Sequence, residues 1–207
     1  SNDADLLISK KEAYYQKDGI KLLDFETINL PGEHNLKNAA FAALAAYLVG
    51  QKIGKIQQAA ENYKLQAHRM EIIENPKSYL IVDDSKATNP DAALKALASI
   101  EQDVILIAGG QDRKADFSDL VTLIKEKVKT LILLGETADK IASLFADSSK
   151  VEIIKVNTME AAAQAGAKLL TKDKALLLSP ACPSWDMFSS YKKRGKVFQE
   201  NVIKNID

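Results

Sequence analysis

The chain has 207 residues, 46% of them hydrophobic, and its 28 lysines and arginines are balanced by 28 aspartates and glutamates. That is enough apolar material for one large core or two small ones. The balanced charge excludes attraction of the whole molecule to nucleic acid or to an anionic membrane. The single cysteine, Cys182, excludes an internal disulfide and has no partner for a metal site, which agrees with a reducing compartment.

Apolar runs such as residues 39–49, interrupted by Tyr47, are short of a membrane span, and SNDADLL has no basic region followed by an apolar block. A cytoplasmic protein with no membrane and no nucleic-acid partner is expected. The first residues, Ser1-Asn2-Asp3, precede any Met and read as a cloning remnant.

The start of the chain is β. Residues 5–8 read as a strand, and residues 13–15 and 21–25 flank Lys17-Asp18-Gly19, a hairpin signal because Asp-Gly accommodates positive φ. Leu30-Pro31-Gly32 breaks the pattern. Residues 35–50, NLKNAAFAALAAYLVG, then carry apolar side chains at helical spacing with Gly50 as the stop, and so apolar a helix is expected to be buried. A second helix fits residues 53–61, and a domain boundary is expected near Ala67.

Beyond it short apolar strands alternate with amphipathic helices. Strands fit residues 70–73, 79–82, 104–108, 130–134, 151–155 and 175–178, and helices fit 90–100, 117–127, 137–145, 159–170 and 187–205. The fold class is therefore α/β: a Rossmann-like domain over residues 68–207 with a mostly parallel sheet and helices on both faces, preceded by a hairpin and two helices over residues 1–67.

All β–α loops of a parallel sheet open on one edge, where open α/β sheets bind ligands. The first follows Asp83-Asp84, where two carboxylates end the apolar run. Ser85, Lys86 and Thr88 follow, and Thr88, Asn89 and Pro90 form a helix start, since Thr or Asn caps free amides and Pro at the first helical position loses no bond. A plain polar loop explains the same residues. The second loop, GGQDRKADF, has paired glycines that let backbone approach a ligand and two cations, Arg113 and Lys114, suited to carboxylate or phosphate; a Gly-Gly turn with surface charges explains it as well. In the third, SPACPSWDMF, Ser184 stands where the last long helix is expected to begin, as a cap whose neighbours offer free amides.

GGQDRK lacks the third glycine of the dinucleotide fingerprint, and the only Gly-Lys, Gly195-Lys196, is followed by Val inside a helix, so neither a redox Rossmann enzyme nor a P-loop is supported. His34 and His68 lack a Cys or His at metal-ligand spacing, and no metal site is expected.

Taken in order, LPGEHNLKNAAFAALA, HRME, DDSKATNPDA, IAGGQDRKADF and LLLSPACPSWDMFSSYKKRGKVF resemble the Mur ligases, and within them the D-glutamate-adding branch. DSKATN and SPAC-x-S-x-D-x-F are the specific parts, and the likeness runs from about residue 12 to the end. It implies the carboxyl-terminal half of such a ligase: the end of a central ATPase domain and all of a C-terminal domain, with the P-loop and most magnesium ligands upstream. It implies an enzyme that uses ATP and Mg2+ to activate the carboxylate of UDP-N-acetylmuramoyl-L-alanine as an acyl phosphate, which the amine of D-glutamate attacks, in peptidoglycan precursor synthesis.

By this resemblance Asn35 and Asn38 bond the adenine, and His68, Arg69 and Asp84 lie around the ribose and phosphates. Lys86 reaches both nucleotide and D-glutamate and is the residue taken as catalytic. Thr88, Arg113, Ser184, Trp185 and Tyr191 bind D-glutamate, with Arg113 or the adjacent Lys114 on its side-chain carboxylate. Trp185 departs from the smaller or aliphatic residue common in the family, and Tyr191 stands where phenylalanine is frequent. Cys182 is expected to be a small packing residue. The fragment is expected to be inactive alone; the alternative is a non-catalytic Rossmann-like module that binds a small anion.

Overall fold

The computed structural model describes residues 5–30, 33–64, 66–146 and 150–206, with the side chain of His34 also outside the description; the terminal remnant and the break at Pro31-Gly32 fall beyond it. The chain forms two compact units, Ser1–Leu65 and Gln66–Asp207.

In the first unit β1 (Leu6–Ile8), β2 (Glu12–Tyr15) and β3 (Ile20–Asp24) form an antiparallel sheet in that order. The β2–β3 turn closes through Gly19, at φ +65, whose N–H donates to the carbonyl of Gln16 at 3.2 Å. Helices α1 (Glu33–Leu48) and α2 (Ile53–Glu61) join this sheet in one core containing Leu22, Leu23, Ala40, Ala43 and Ile56. Gln57 locks α2 to the end of β3, accepting from the Asp24 amide at 2.9 Å and donating to its carbonyl at 3.0 Å.

The expected burial of α1 is not realised: Phe41 and Leu48 are each 62% exposed. Three short strands offer one narrow face, and the small side chains of Ala40 and Ala43 take it. The helix also starts earlier than expected, at Glu33, so Asn35 is inside its first turn and is not its cap.

In the second unit six strands run in the order β4-β5-β9-β6-β7-β8: β4 (Glu71–Ile72), β5 (Leu80–Asp83), β6 (Asp103–Ala108), β7 (Val128–Leu133), β8 (Glu152–Lys155) and β9 (Lys174–Leu178). All neighbours are parallel except β4, a two-residue antiparallel edge strand shorter than the expected 70–73, with Ile72 58% exposed. Met70 cannot extend it, because its φ is +47. Strand alternation divides the apolar residues between two cores. Leu106, Leu131 and Leu177 pack with α3 (Pro90–Ala98), α4 (Ser118–Lys127) and α5 (Ala138–Ser143). Ile105, Ile107 and Leu176 pack on the other face with α6 (Met159–Leu169) and α7 (Tyr191–Lys204).

Asn89 caps α3 by accepting from the Ala92 amide at 2.9 Å, with Pro90 in the first helical position. The last helix starts at Tyr191 and not at residue 187: Ser190 is its cap, accepting from the Lys193 amide at 3.2 Å. Ser184 is therefore not the cap of this helix.

The glycines give a direct test of this packing. A Cβ on Gly109, at φ +113, would lie 2.0 Å from the Leu134 carbonyl oxygen, whereas one on Gly54, inside α2, meets nothing within 4 Å. Gly109→Ala is expected to destabilise the second unit by about 3 kcal/mol or more, as backbone strain and a clash with immovable backbone combine. Gly54→Ala is expected to stabilise the first unit by roughly 0.5–1 kcal/mol through helix propensity. Urea unfolding followed by circular dichroism checks both signs.

Candidate substrate site at the carboxyl edge of the sheet

Strand β5 ends in two buried carboxylates. Asp83 is fully buried: Oδ1 accepts from the Ser85 amide at 2.8 Å, and Oδ2 lies 2.7 Å from His68 Nδ1 and accepts from Gln199 Nε2 at 2.8 Å. His68, at φ +64, donates its own amide to Glu71 Oε2 at 2.7 Å, and Gln199 reaches the same oxygen at 3.1 Å. Helix α7 comes this close because residue 195 is glycine; a Cβ there would sit 2.2 Å from His68 Nδ1. The Gly-Lys that forms no P-loop is thus the point where α7 touches the sheet edge.

Among the described residues, His68, Glu71 and Asp83 form the one group of ligand-type atoms lying within 4.8 Å of one another. The Gln199 amide nitrogen already fills its centre, at 3.4, 3.1 and 2.8 Å from the three atoms. Mg2+ prefers six oxygens at about 2.1 Å, so these residues do not fit it.

Asp84 is 5% exposed and accepts from the Met70 amide at 3.2 Å and the Ser179 hydroxyl at 3.1 Å. Burial pushes its carboxyl up to about 6, opposed by these two hydrogen bonds and by the charge of Arg69. Lys86 donates its amide to the His68 carbonyl at 3.0 Å and its ammonium to Gln66 Oε1, and the ammonium stands 5.8 Å over the Tyr191 ring. Tyr191 also meets the His68 ring edge-on at 6.4 Å. His68, Lys86 and Tyr191 are therefore gathered at one place, with Arg69 and Asp84 adjoining and Thr88 half-buried just before the cap of α3.

The loops after β6 and β9 form a second cluster. Gly109 and Gln111 donate their amides to the carbonyls of Pro180 at 2.9 Å and Pro183 at 3.0 Å. A Cβ on Gly110 would lie 2.4 Å from the Pro183 oxygen. The paired glycines therefore admit the backbone of neighbouring loops at close range. Cys182 is 2% exposed, 3.4 Å from the Thr137 hydroxyl, and burial pushes its thiol up, as suits a packing residue.

Ser184 is 2% exposed, and its carbonyl accepts from the amides of Met187 and Phe188 in an isolated turn. Its hydroxyl makes no hydrogen bond among the described residues. Beside it the indole of Trp185, 64% exposed, carries the Arg113 guanidinium 4.8 Å above its ring. Arg113 is steadied by Gln111 Oε1 at 3.3 Å. Neither Arg113 nor Lys86 has a carboxylate within ion-pair distance among the described residues, whereas Asp112 is occupied by Lys140 at 3.1 Å.

One residue that pattern reading missed joins the two clusters. Arg194 is 2% exposed; its Nε donates to the Ser85 hydroxyl at 3.0 Å, its NH2 to the Ser85 carbonyl at 2.7 Å and its NH1 to the Cys182 carbonyl at 3.0 Å. Burial pushes the guanidinium down to about 10. The available signal was Gly195 beside it, since glycine in a helix interior is costly and marks a close approach. Asn35 and Asn38 belong to the first unit, where Asn35 is buried and engaged and Asn38 is exposed.

Asp84 gives the site a pH signature. Its folded-state pKa, about 6, lies above the ordinary 3.8, so the folded chain binds the extra proton, and this contribution to stability is full below about pH 4 and lost as pH rises through 6. Asp84→Asn is expected to flatten the stability profile of the second unit between pH 4 and 6 by an amount on the order of 2–3 kcal/mol. Unfolding midpoints at pH 4.5 and 7 measure it.

Residues 68–182 match the family described as Mur ligase, glutamate ligase domain. The chain is 37% identical over 195 residues to the UDP-N-acetylmuramoylalanine–D-glutamate ligase of Caldanaerobacter subterraneus subsp. tengcongensis, covering 93% of this chain and 43% of the relative. It is 40% identical over 185 residues to the ligase of that name in Clostridioides difficile, covering 89% and 41%. It thus spans about two fifths of the length of these relatives. In fold it resembles UDP-N-acetylmuramate-alanine ligase MurC of Thermotoga maritima, with TM-score 0.65 at 14% identity over 91% of this chain and 41% of that one. It also resembles MurF of Thermotoga maritima in complex with ADP, with TM-score 0.61 at 17% identity over 98% and 46%. The chain belongs to the Mur ligase family, and its second unit carries the glutamate ligase domain.

Proposed function

We propose that the chain is the D-glutamate-receiving part of an ATP-dependent ligase that adds D-glutamate to UDP-N-acetylmuramoyl-L-alanine in cytoplasmic peptidoglycan precursor synthesis. In this reading residues 1–67 close a central ATPase domain and residues 68–207 form the C-terminal domain. The observation that carries it is the unneutralised Arg113 guanidinium held on Trp185, the residue next to Ser184, whose hydroxyl makes no hydrogen bond among the described residues. A fixed planar cation next to a free hydroxyl suits a carboxylate taken in bidentate fashion.

The ammonium of Lys86, with the Thr88 hydroxyl, suits the second carboxylate of the same amino acid. Both cations then act on carboxylates and leave the amine free to attack. As its N–C bond forms, the C–O bond to phosphate breaks, phosphate leaves with the electron pair, and the amine gives up one proton, which the departing phosphate can take. Water competes for the same carbonyl, so loops that enclose the amine supply both proximity and dryness.

ATP supplies the activating phosphoryl group. Asp84 keeps a lone pair on each oxygen to accept from ribose hydroxyls, with His68 and Arg69 at the phosphates. Mg2+ finds its main ligands outside these 207 residues in this reading. Tyr191 walls the Lys86 side of the site.

Calorimetric titration with D-glutamate and L-glutamate tests the reading. Binding that prefers the D form and weakens about tenfold or more in Arg113→Ala and Ser184→Ala is expected. Equal binding of both enantiomers and of simple dicarboxylates would instead mark a general anion-binding module. With ATP and both substrates, the 207-residue chain is expected to release no ADP, because it contains no P-loop sequence; ADP release above a no-substrate control contradicts this.

A further inference from the structure

Arg194 is a buried cation without an ion-pair partner among the described residues; its three hydrogen bonds go to a hydroxyl and two carbonyls. Burying a charge against neutral partners is expensive, and an apolar side chain of similar volume fills such a place at lower cost. What only arginine supplies is a planar fork with donors fixed in several directions. Here one side of the fork holds the hydroxyl and the carbonyl of Ser85, and the other end holds the carbonyl of Cys182. Ser85 directly precedes Lys86, and Cys182 stands two residues before Ser184.

Two further observations agree. Ala181, immediately before Cys182, adopts φ +59, a left-handed conformation costly for a residue with a Cβ. The Ser85 hydroxyl passes the connection on, donating to the Tyr191 carbonyl at 2.9 Å. The loops after β5 and β9 and the start of α7 thus converge on one guanidinium.

We propose that Arg194 is a positioning residue that holds the loop of Lys86 and Thr88 and the loop of Ser184 in a single register, so that the two carboxylates of one bound amino acid are received together. The role in binding rests on the function proposed above. It acts through geometry and not through contact with substrate, so charge alone cannot replace it: a lysine ammonium at this depth cannot serve Ser85 and Cys182 in the same fork.

The test is a double-mutant cycle. D-glutamate affinity is measured by calorimetry for Arg194→Met and Arg194→Lys, each with and without Ser184→Ala, alongside thermal midpoints. Both Arg194 variants are expected to weaken binding roughly ten- to a hundredfold, and Ser184→Ala to cost little more in either background, because a hydroxyl already out of register has little left to lose. Additive losses, or wild-type affinity in Arg194→Lys, overturn the proposal. If Arg194→Met does not fold, Ser85→Ala takes its place in the cycle.

Amide hydrogen exchange gives a ligand-free arm. In Arg194→Lys the amides of residues 85–87 and of Met187 and Phe188 are expected to exchange faster together, with β6 and β7 unchanged. Acceleration of only one group, or of neither, overturns the proposal. Absence of D-glutamate binding to the wild-type chain counts against the proposed function, and the exchange arm then decides the role of Arg194 by itself.

Discussion

A parallel sheet whose four inner strands, β5, β9, β6 and β7, are buried on both faces is the constraint from which the second unit follows. No polar side chain is welcome along Leu176–Leu178 or Ile105–Ala108, so polarity collects at the strand ends. Main-chain hydrogen bonds then stitch the loops at the carboxyl edge into one band: Asp84 to Leu178, Gly109 to Pro180, Gln111 to Pro183 and Thr137 to Gly110. The clustering of His68, Lys86 and Tyr191, and of Arg113, Ser184 and Trp185, is a consequence of that band.

Charge within the band is sorted by depth. Asp83 and Arg194 are buried, and their hydrogen-bonding atoms are spent on backbone, hydroxyl, amide and imidazole partners. Lys86 and Arg113 lie further out against aromatic rings, and their charges are not neutralised by carboxylates among the described residues. The inner groups hold shape, and the outer ones are free to meet an anion. An aromatic face orients a cation without neutralising it, which a carboxylate partner could not do.

Period and turn chemistry made most of the second unit legible in the sequence. The strands are short, mostly apolar and alternate with helices, and Asn89-Pro90 marks the start of α3 to the residue. What pattern reading misplaced depended on contacts distant in sequence. The pattern fits a helix from residue 187, yet Ser184 through Phe188 close on themselves as a separate turn and α7 starts at Tyr191. Gly109-Gly110 reads the same whether its neighbour is a ligand or the backbone of Leu134 and Pro183. Arg194, in the run KKRGK, is indistinguishable from solvated cations until Ser85, 109 residues away, is seen to meet it. In the first unit, apolar content foretold burial for α1, but three strands cannot cover every side of a helix.

The order of strands in the sheet differs from their order along the chain. β5 and β6 are consecutive parallel strands joined through α3, yet β9 lies between them and pairs with both. The strand at the centre of the sheet is thus the last of the six to leave the ribosome. Until it arrives, β5 and β6 each present an open apolar edge, and contacts such as Ser179 with Asp84, 95 residues apart, cannot form. Folding of this unit is therefore a late event with high contact order, slow by the standard of its size and exposed to misassociation while the gap stands open.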